Sequence, residues 1–262
     1  VVTSSKIVIL LASAGAKTPL GQPFVELPQV DSTNIYAMEL VQAGKAVHGT
    51  AVFAHDQTAG KGQQGKTWIS EPHTNIILSL LLQPQPLHAG NAFALSTAIA
   101  LGCHDLLKKY AGEESRIKWP NDLYWRDRKA GGILIENLIR GHEWQWSVAG
   151  MGININQTSF PEQQGRPVSL RQITGKRFDP VALARELCGY LQERWQQLQN
   201  GEAEALLEEY NRHLFLAGET VKLKKGSRVF QCRIQSVNRF GELCVEGAAE
   251  DRFRFGEVVW LL

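Results

Sequence analysis

Cysteine is scarce in this chain and nowhere paired by spacing. Cys103, Cys188, Cys232 and Cys244 are the only four, and no C-x-x-C occurs. That argues against a disulfide framework and against a zinc site. Cys103 and Cys188 fall in apolar helical patterns and read as buried free thiols. Cys232 and Cys244 could face each other across neighbouring strands. A strong charge of one sign is also lacking. The formal net charge is +2, too mild for the clustered basic face that duplex DNA requires, so no DNA partner is expected. No apolar run approaches the ~20 residues of a membrane-spanning helix, so no membrane partner is expected and the location expected is cytoplasmic. The seven histidines show no metal-ligand spacing, and no Ser/His/Asp set stands out. Repeats and low-complexity tracts are absent. Near the start, Lys6 followed by the apolar residues 7–11 and Ala12-Ser13-Ala14 mimics a short signal peptide; a buried first strand is the preferred reading.

What is present is enough for one sizeable core and a small appended domain: 262 residues, 44% hydrophobic and 21% charged. Asp31-Ser32-Thr33 offers short polar oxygens of the kind that start a helix. Ile35, Met38, Leu40 and Val41 then give a helical stripe that Gly44 ends. Strands are predicted over residues 50–55, 74–83, 123–125, 132–138 and 143–155, and long helices over 92–110, 180–199 and 202–214. Residues 157–176, with Pro161 and Pro167 and little periodicity, predict a mobile loop. Trp144 and Trp146 are expected on one strand face. Beyond Gly218 the pattern shifts to short alternating strands at 221–223, 229–237, 243–245 and 258–261, punctuated by glycine. This predicts a small β-barrel, with a domain boundary near residues 215–218.

Residues 60–67, Gly-Lys-Gly-Gln-Gln-Gly-Lys-Thr, match the P-loop pattern G-x-x-x-x-G-K-[ST]. A P-loop must open a helix, whose N-terminus binds phosphate. Here Pro72 and the apolar residues 74–80 predict a strand instead, which rejects an NTPase. The loop's physical content survives: three glycines allow backbone N–H groups to turn toward one anion, and Lys61 and Lys66 add charge.

A second cluster lies further on. Lys118-Trp119-Pro120-Asn121-Asp122 is followed by Arg128-Lys129-Ala130-Gly131-Gly132, and later by Gly150-Met151-Gly152-Ile153-Asn154. Glycines at a strand entrance let a ligand approach the backbone closely. Glu136, at the end of its predicted strand, reads as structural.

Taken together, Asp31-Ser32-Thr33-Asn34, Gln57 with the glycine loop, and these two segments resemble the biotin protein ligases in order and approximate spacing. The resemblance spans roughly residues 22–262. It implies an α/β (α+β) fold of the class II synthetase and biotin ligase kind. In that fold a mixed central sheet flanked by helices (residues 1–216) precedes a small SH3-like β-barrel (217–262). It further implies ATP-dependent activation of biotin to biotinoyl-5'-AMP, with Mg²⁺, and transfer to a lysine of a biotin carboxyl carrier protein. Ser32, Thr33, Asn34 and Gln57 match biotin-contacting positions. Lys61, Gly62 and Gln63 match the loop that closes over biotin and its adenylate, and Trp68 an aromatic position near adenine. Lys129, with Gly131 and Gly132 beside it, matches the lysine that reaches the carboxylate and α-phosphate. Asn121 and Asn154 look like nucleotide-side contacts. Asp122 matches a carboxylate near the metal or the incoming lysine. Lys129, Lys61 and Asp122 are thus the expected catalytic set.

The chain departs from the family's pattern in the loop. Lys61 and Lys66 stand where arginine is frequent, keeping charge but losing the bidentate fork. Gln63 loses the charge, which bears on how tightly the loop retains the adenylate. About 30 residues precede Asp31, so the expected type is the monofunctional one without a DNA-binding repressor domain. A homodimer remains possible. The alternatives are a lipoate ligase or acyltransferase of related fold, and a non-catalytic biotin-binding regulator.

Overall fold

The computed structural model describes residues 18–161 and 166–261. The strand expected at residues 7–11 lies outside them. Two sheets organise the rest. The first has seven strands in the order β1-β2-β3-β7-β6-β5-β4. These are β1 (Phe24–Leu27), β2 (Ala51–Ala54), β3 (Ile76–Leu82), β4 (Ser115–Lys118), β5 (Asp122–Trp125), β6 (Arg128–Arg140) and β7 (Glu143–Ile153). Only β1 and β2 pair in parallel; the remaining pairs are antiparallel, so the sheet is mixed as expected. β3 is buried along its whole length, which explains its continuous apolar run in place of alternation.

One face of this sheet carries the main core. Against it pack α2 (Ala92–Ala111) and α4 (Pro180–Gln199), and α5 (Ala203–Arg212) packs on these two helices. α4 starts where the sequence says it should: Pro180 occupies the first turn and the Asp179 carboxylate accepts from the Val181 and Ala182 amides. Arg194 on α4 joins all three helices, donating to Asp105 on α2 and Glu209 on α5. The other face is covered by α1 (Thr33–Gln42), whose Ala37 and Val41 pack on Val52, Leu81 and Val148.

The second sheet has five antiparallel strands in the order β11-β10-β9-β8-β12. Its strands are β8 (Thr220–Lys225), β9 (Arg228–Val237), β10 (Leu243–Glu246), β11 (Arg252–Phe253) and β12 (Val259–Trp260). All four cysteines are free thiols. No helix among the described residues is long and apolar enough to cross a membrane.

The structure corrects three expectations. Residues 157–176 are not one irregular loop, because α3 (Leu170–Thr174) forms within them. Ser169 accepts from the Gln172 amide while the Gln172 side chain accepts from the Ser169 amide, a complete capping box. Trp144 and Trp146 do not share a face. A register shift between Leu138 and Ile139 sends Trp144 into the main core and Trp146 to the α1 side. Glu136 lies well inside β6, not at a strand end.

Candidate active site

A cleft of about 810 Å³ runs between α1, the seven-stranded sheet and the C-terminal strands. Its polar floor begins at the first turn of α1. Ser32 is the N-cap residue, yet its side chain caps nothing, leaving the hydroxyl to the cleft. Thr33 and Asn34 follow, and all three are buried. The Thr33 amide and hydroxyl both donate to Gln57 Oε1, at 2.8 and 3.2 Å. Ser79, in the middle of β3, lies 2.8 Å from Thr33 Oγ1 and 2.6 Å from Asn34 Oδ1. Its single proton serves one of them at a time. Asn34 Nδ2 donates to Glu136 at 2.8 Å. Five side chains from three elements and the loop after β2 thus hold one another's orientation, so the floor is set before any ligand arrives. Gly150 is part of this arrangement: a Cβ there would stand 2.2 Å from Asn34 Oδ1.

The glycine loop forms one wall. No helix follows it; after a short 3₁₀ turn at Gln63–Gly65 the chain runs on to β3, the strand whose expectation argued against a P-loop. Part of the loop's amide set is used internally. The Gly62 amide donates to Lys66 O, the Lys66 amide to Gln63 O and the Trp68 amide to Gly60 O, so these N–H groups are engaged within the loop. Positive charge here comes from side chains. The Trp68 indole lies so close over Gly152 that a Cβ would meet it at 2.5 Å. Its Nε1 is buried without a hydrogen-bond partner among the described residues.

Opposite stand Asp122 and Lys129. The β5–β6 hairpin brings Lys129 Nζ to 2.7 Å from Asp122 Oδ1, with both side chains partly exposed to the cleft. Asn121 Nδ2 donates to Ile133 O and Asn154 Nδ2 to Val168 O, and both residues line the cleft. Of the predicted site residues, all line this cleft except Gly131. A Cβ on Gly131 would meet Gly152 O at 2.7 Å, so this glycine admits the neighbouring strand, not a ligand.

Sequence reasoning gave no role to several residues now placed at the site. Ser79 sits inside an apolar run and Glu136 two strands away on β6, so neither carries a local signal. Lys118 was visible beside Pro120-Asn121-Asp122, but its environment was not. Its Nζ donates to Tyr124 OH at 3.1 Å and lies 5.5 Å from the Trp260 ring centroid. Burial lowers its pKa to about 8; Asp122 opposes that shift, and Lys129 and Lys66 add to it. Phe255, Val259 and Trp260 complete the wall from the C-terminal sheet. The cleft is therefore lined by Lys61, Lys66, Lys118 and Lys129 against Asp122 as its one carboxylate, a field suited to anions.

Comparison with known proteins agrees with this geometry. The model of the Biotin/lipoate A/B protein ligase family matches residues 26–154. The biotin--[acetyl-CoA-carboxylase] ligase of Paracoccus denitrificans is 31% identical over 242 residues, covering 85% of this chain and 94% of that protein. The chain belongs to the biotin protein ligases. The bifunctional ligase/repressor BirA of Escherichia coli is 36% identical over 146 residues. The matched part spans between 39% and 56% of the length of such bifunctional relatives. Among solved structures, the biotin protein ligase of Aquifex aeolicus, in complex with biotin and ATP, superimposes with a TM-score of 0.77 at 25% identity. That match covers 92% of this chain and 99% of the other. The mixed sheet followed by a second antiparallel sheet is the architecture of this family.

Proposed function

We infer that this chain is an ATP-dependent ligase that joins biotin to a lysine of a carboxyl carrier protein, in the cytoplasm, where ATP is available. The observation that carries the reading is the juxtaposition in one cleft of a buried neutral polar floor and four lysines. A molecule with an amide-like head and an anionic end fits both. The ureido ring of biotin meets Ser32, Thr33, Asn34 and Gln57, while its carboxylate and the ATP phosphates lie toward Lys129 and Lys61. Residues 1–216 would form the catalytic domain and 217–262 the barrel that closes one side.

In the first step a carboxylate oxygen of biotin attacks the α-phosphorus, forming biotinoyl-5'-AMP and expelling pyrophosphate. Two anions must meet, so Lys129 and Lys61 offset their repulsion and stabilise the charge that builds at the α-phosphate. Held between loop and hairpin, the reactants are also aligned. Among the described residues no three metal-ligating side chains converge. One carboxylate is nevertheless enough for Mg²⁺ that arrives on a polyphosphate, and Asp122 would hold it; when bound the ion would supply further positive charge. In the second step the lysine ε-amine attacks the acyl carbon, AMP leaves, and Asp122 orients the amine and accepts its proton.

Biotin-dependent ATP–pyrophosphate exchange tests the reading. Exchange with biotin and not with lipoate is the expected result. Exchange with lipoate alone supports the lipoate ligase, and none with either supports a binding regulator. Lys129→Ala is expected to slow biotin-dependent exchange by about 10²–10³-fold, the effect of losing one electrostatic stabiliser. A near-normal rate in that variant sinks the assignment of Lys129.

A further inference from the structure

Glu136 stands behind the polar floor, half-buried in the middle of β6, and does not itself line the cleft. It forms no ion pair among the described residues. Among those residues its carboxylate accepts one hydrogen bond, from Asn34 Nδ2 at 2.8 Å. A half-buried carboxylate without a cation costs stability. Its one contact shows where that charge acts.

A carboxylate only accepts. It therefore draws the Asn34 amide nitrogen toward itself, and the second N–H of that amide serves Leu134 O at 3.3 Å. Oδ1 is thereby turned the other way, 2.6 Å from Ser79 Oγ. Ser79 has a single proton to give, so Oδ1 keeps a lone pair for a ligand. Gln57 is set in the opposite sense. Its Oε1 takes both bonds from Thr33, at 2.8 and 3.2 Å, which leaves its amide protons for a ligand. The floor thus offers an accepting oxygen beside a donating nitrogen, and a cyclic urea presents N–H beside C=O. Charge acts in the same sense. A carboxylate lies behind the floor and four lysines line the cleft, a field that favours entry of a neutral head first and an anionic end last. Without the carboxylate, the Asn34 amide could turn over and set its N–H groups against those of the urea.

We propose that Glu136 is a positioning and specificity-determining residue: acting through Asn34, it makes the floor an acceptor for a urea N–H and turns away ligands that bring a carbonyl or carboxylate to that point. The proposal rests on the ligase reading, because the substrate it sorts is biotin.

The test uses the full chain and biotin-dependent ATP–pyrophosphate exchange. Glu136→Gln keeps the shape of the side chain but loses its charge and its restriction to accepting. Its KM for biotin is expected to rise about tenfold or more, the effect of losing a hydrogen bond to a charged group. Its kcat at saturating biotin is expected to stay within about twofold of wild type, since the reacting carboxylate lies at the other end of the substrate. A second background separates this role from a loosened fold. Asn34→Asp sets two carboxylates against each other and is expected to raise the biotin KM further. Adding Glu136→Gln there supplies a donor to the new carboxylate and is expected to lower that KM at least about tenfold. The same substitution then helps where it harmed, which a loss of packing cannot do. A biotin KM for E136Q at the wild-type value, or a double variant no better than N34D alone, overturns the role of Glu136 and leaves the ligase standing. Absence of biotin-dependent exchange in the wild-type chain removes the ligase reading and this proposal with it.

Discussion

Asn34 shows how far a single side chain is determined by others. It is held by Ser79 on one side and Glu136 on the other, with Gly150 leaving it just enough space. Gly150→Ala would force the amide out of place, and misplacement of a positioning group by about 1 Å can cost up to about 10²-fold. The expected outcome is a KM for biotin in the exchange assay raised about tenfold or more; an unchanged KM would show that Asn34 does not orient this substrate. The sequence made the floor legible through Ser32-Thr33-Asn34 and Gln57, because short neutral polar groups in that order have few other uses. Ser79 was hidden, since a serine within Ile-Ile-Leu-Ser-Leu-Leu-Leu reads as an imperfection in an apolar strand. The burial of Lys118 was hidden for a different reason: it depends on Trp260, far away along the chain.

Elements were legible in proportion to their length. The helix predicted at residues 180–199 has those bounds, and the one at 92–110 differs by a single residue, because twenty residues contain enough turns for the stripe to emerge. β1, β4 and β11 were missed: four or two residues hold too few alternations, and β4 reads as polar because it is an edge strand in which Arg116 and Lys118 are only partly buried. α3 is also short, yet its signal was present in Ser169-Leu170-Arg171-Gln172, which has capping-box spacing. Two prolines upstream outweighed it. The cap supports a helix whose leading segment pairs with the start of β6, the Val168 amide donating to Lys129 O. Ser169→Ala removes the N-cap acceptor and is expected to lower stability by about 1 kcal/mol, read as a lower midpoint in urea. An unshifted midpoint would mean that α3 contributes nothing to the global fold.

At the scale of the molecule, the packing of α2 against α5 creates a dependence on pH. His104 on α2 is buried, with its ring centroid 4.3 Å from that of His213, which follows α5. Its Nε2 donates to Ser115 O, while Nδ1 has no hydrogen-bond partner among the described residues. Burial, reinforced by His213, lowers the His104 pKa to about 4, and burial lowers that of His213 as well. The unfolded chain therefore binds these protons more readily than the folded one. The stabilisation is complete above the ordinary histidine value of about 6.5. It is lost as pH falls from there toward 4, by about 3 kcal/mol for His104 alone. Urea midpoints are expected to be flat above pH 7 and to fall below 6.5, with a smaller fall in His104→Gln. Equal falls in both proteins would place the titrating group elsewhere. The walls of the cleft have a separate consequence. They are drawn from residues as distant in the chain as Ser32 and Trp260, so no fragment or half-folded intermediate contains the whole site. Under the proposed function, nucleotide turnover is thereby reserved for molecules that have finished folding, and nascent or damaged chains would not consume ATP or release a reactive acyl group among their neighbours.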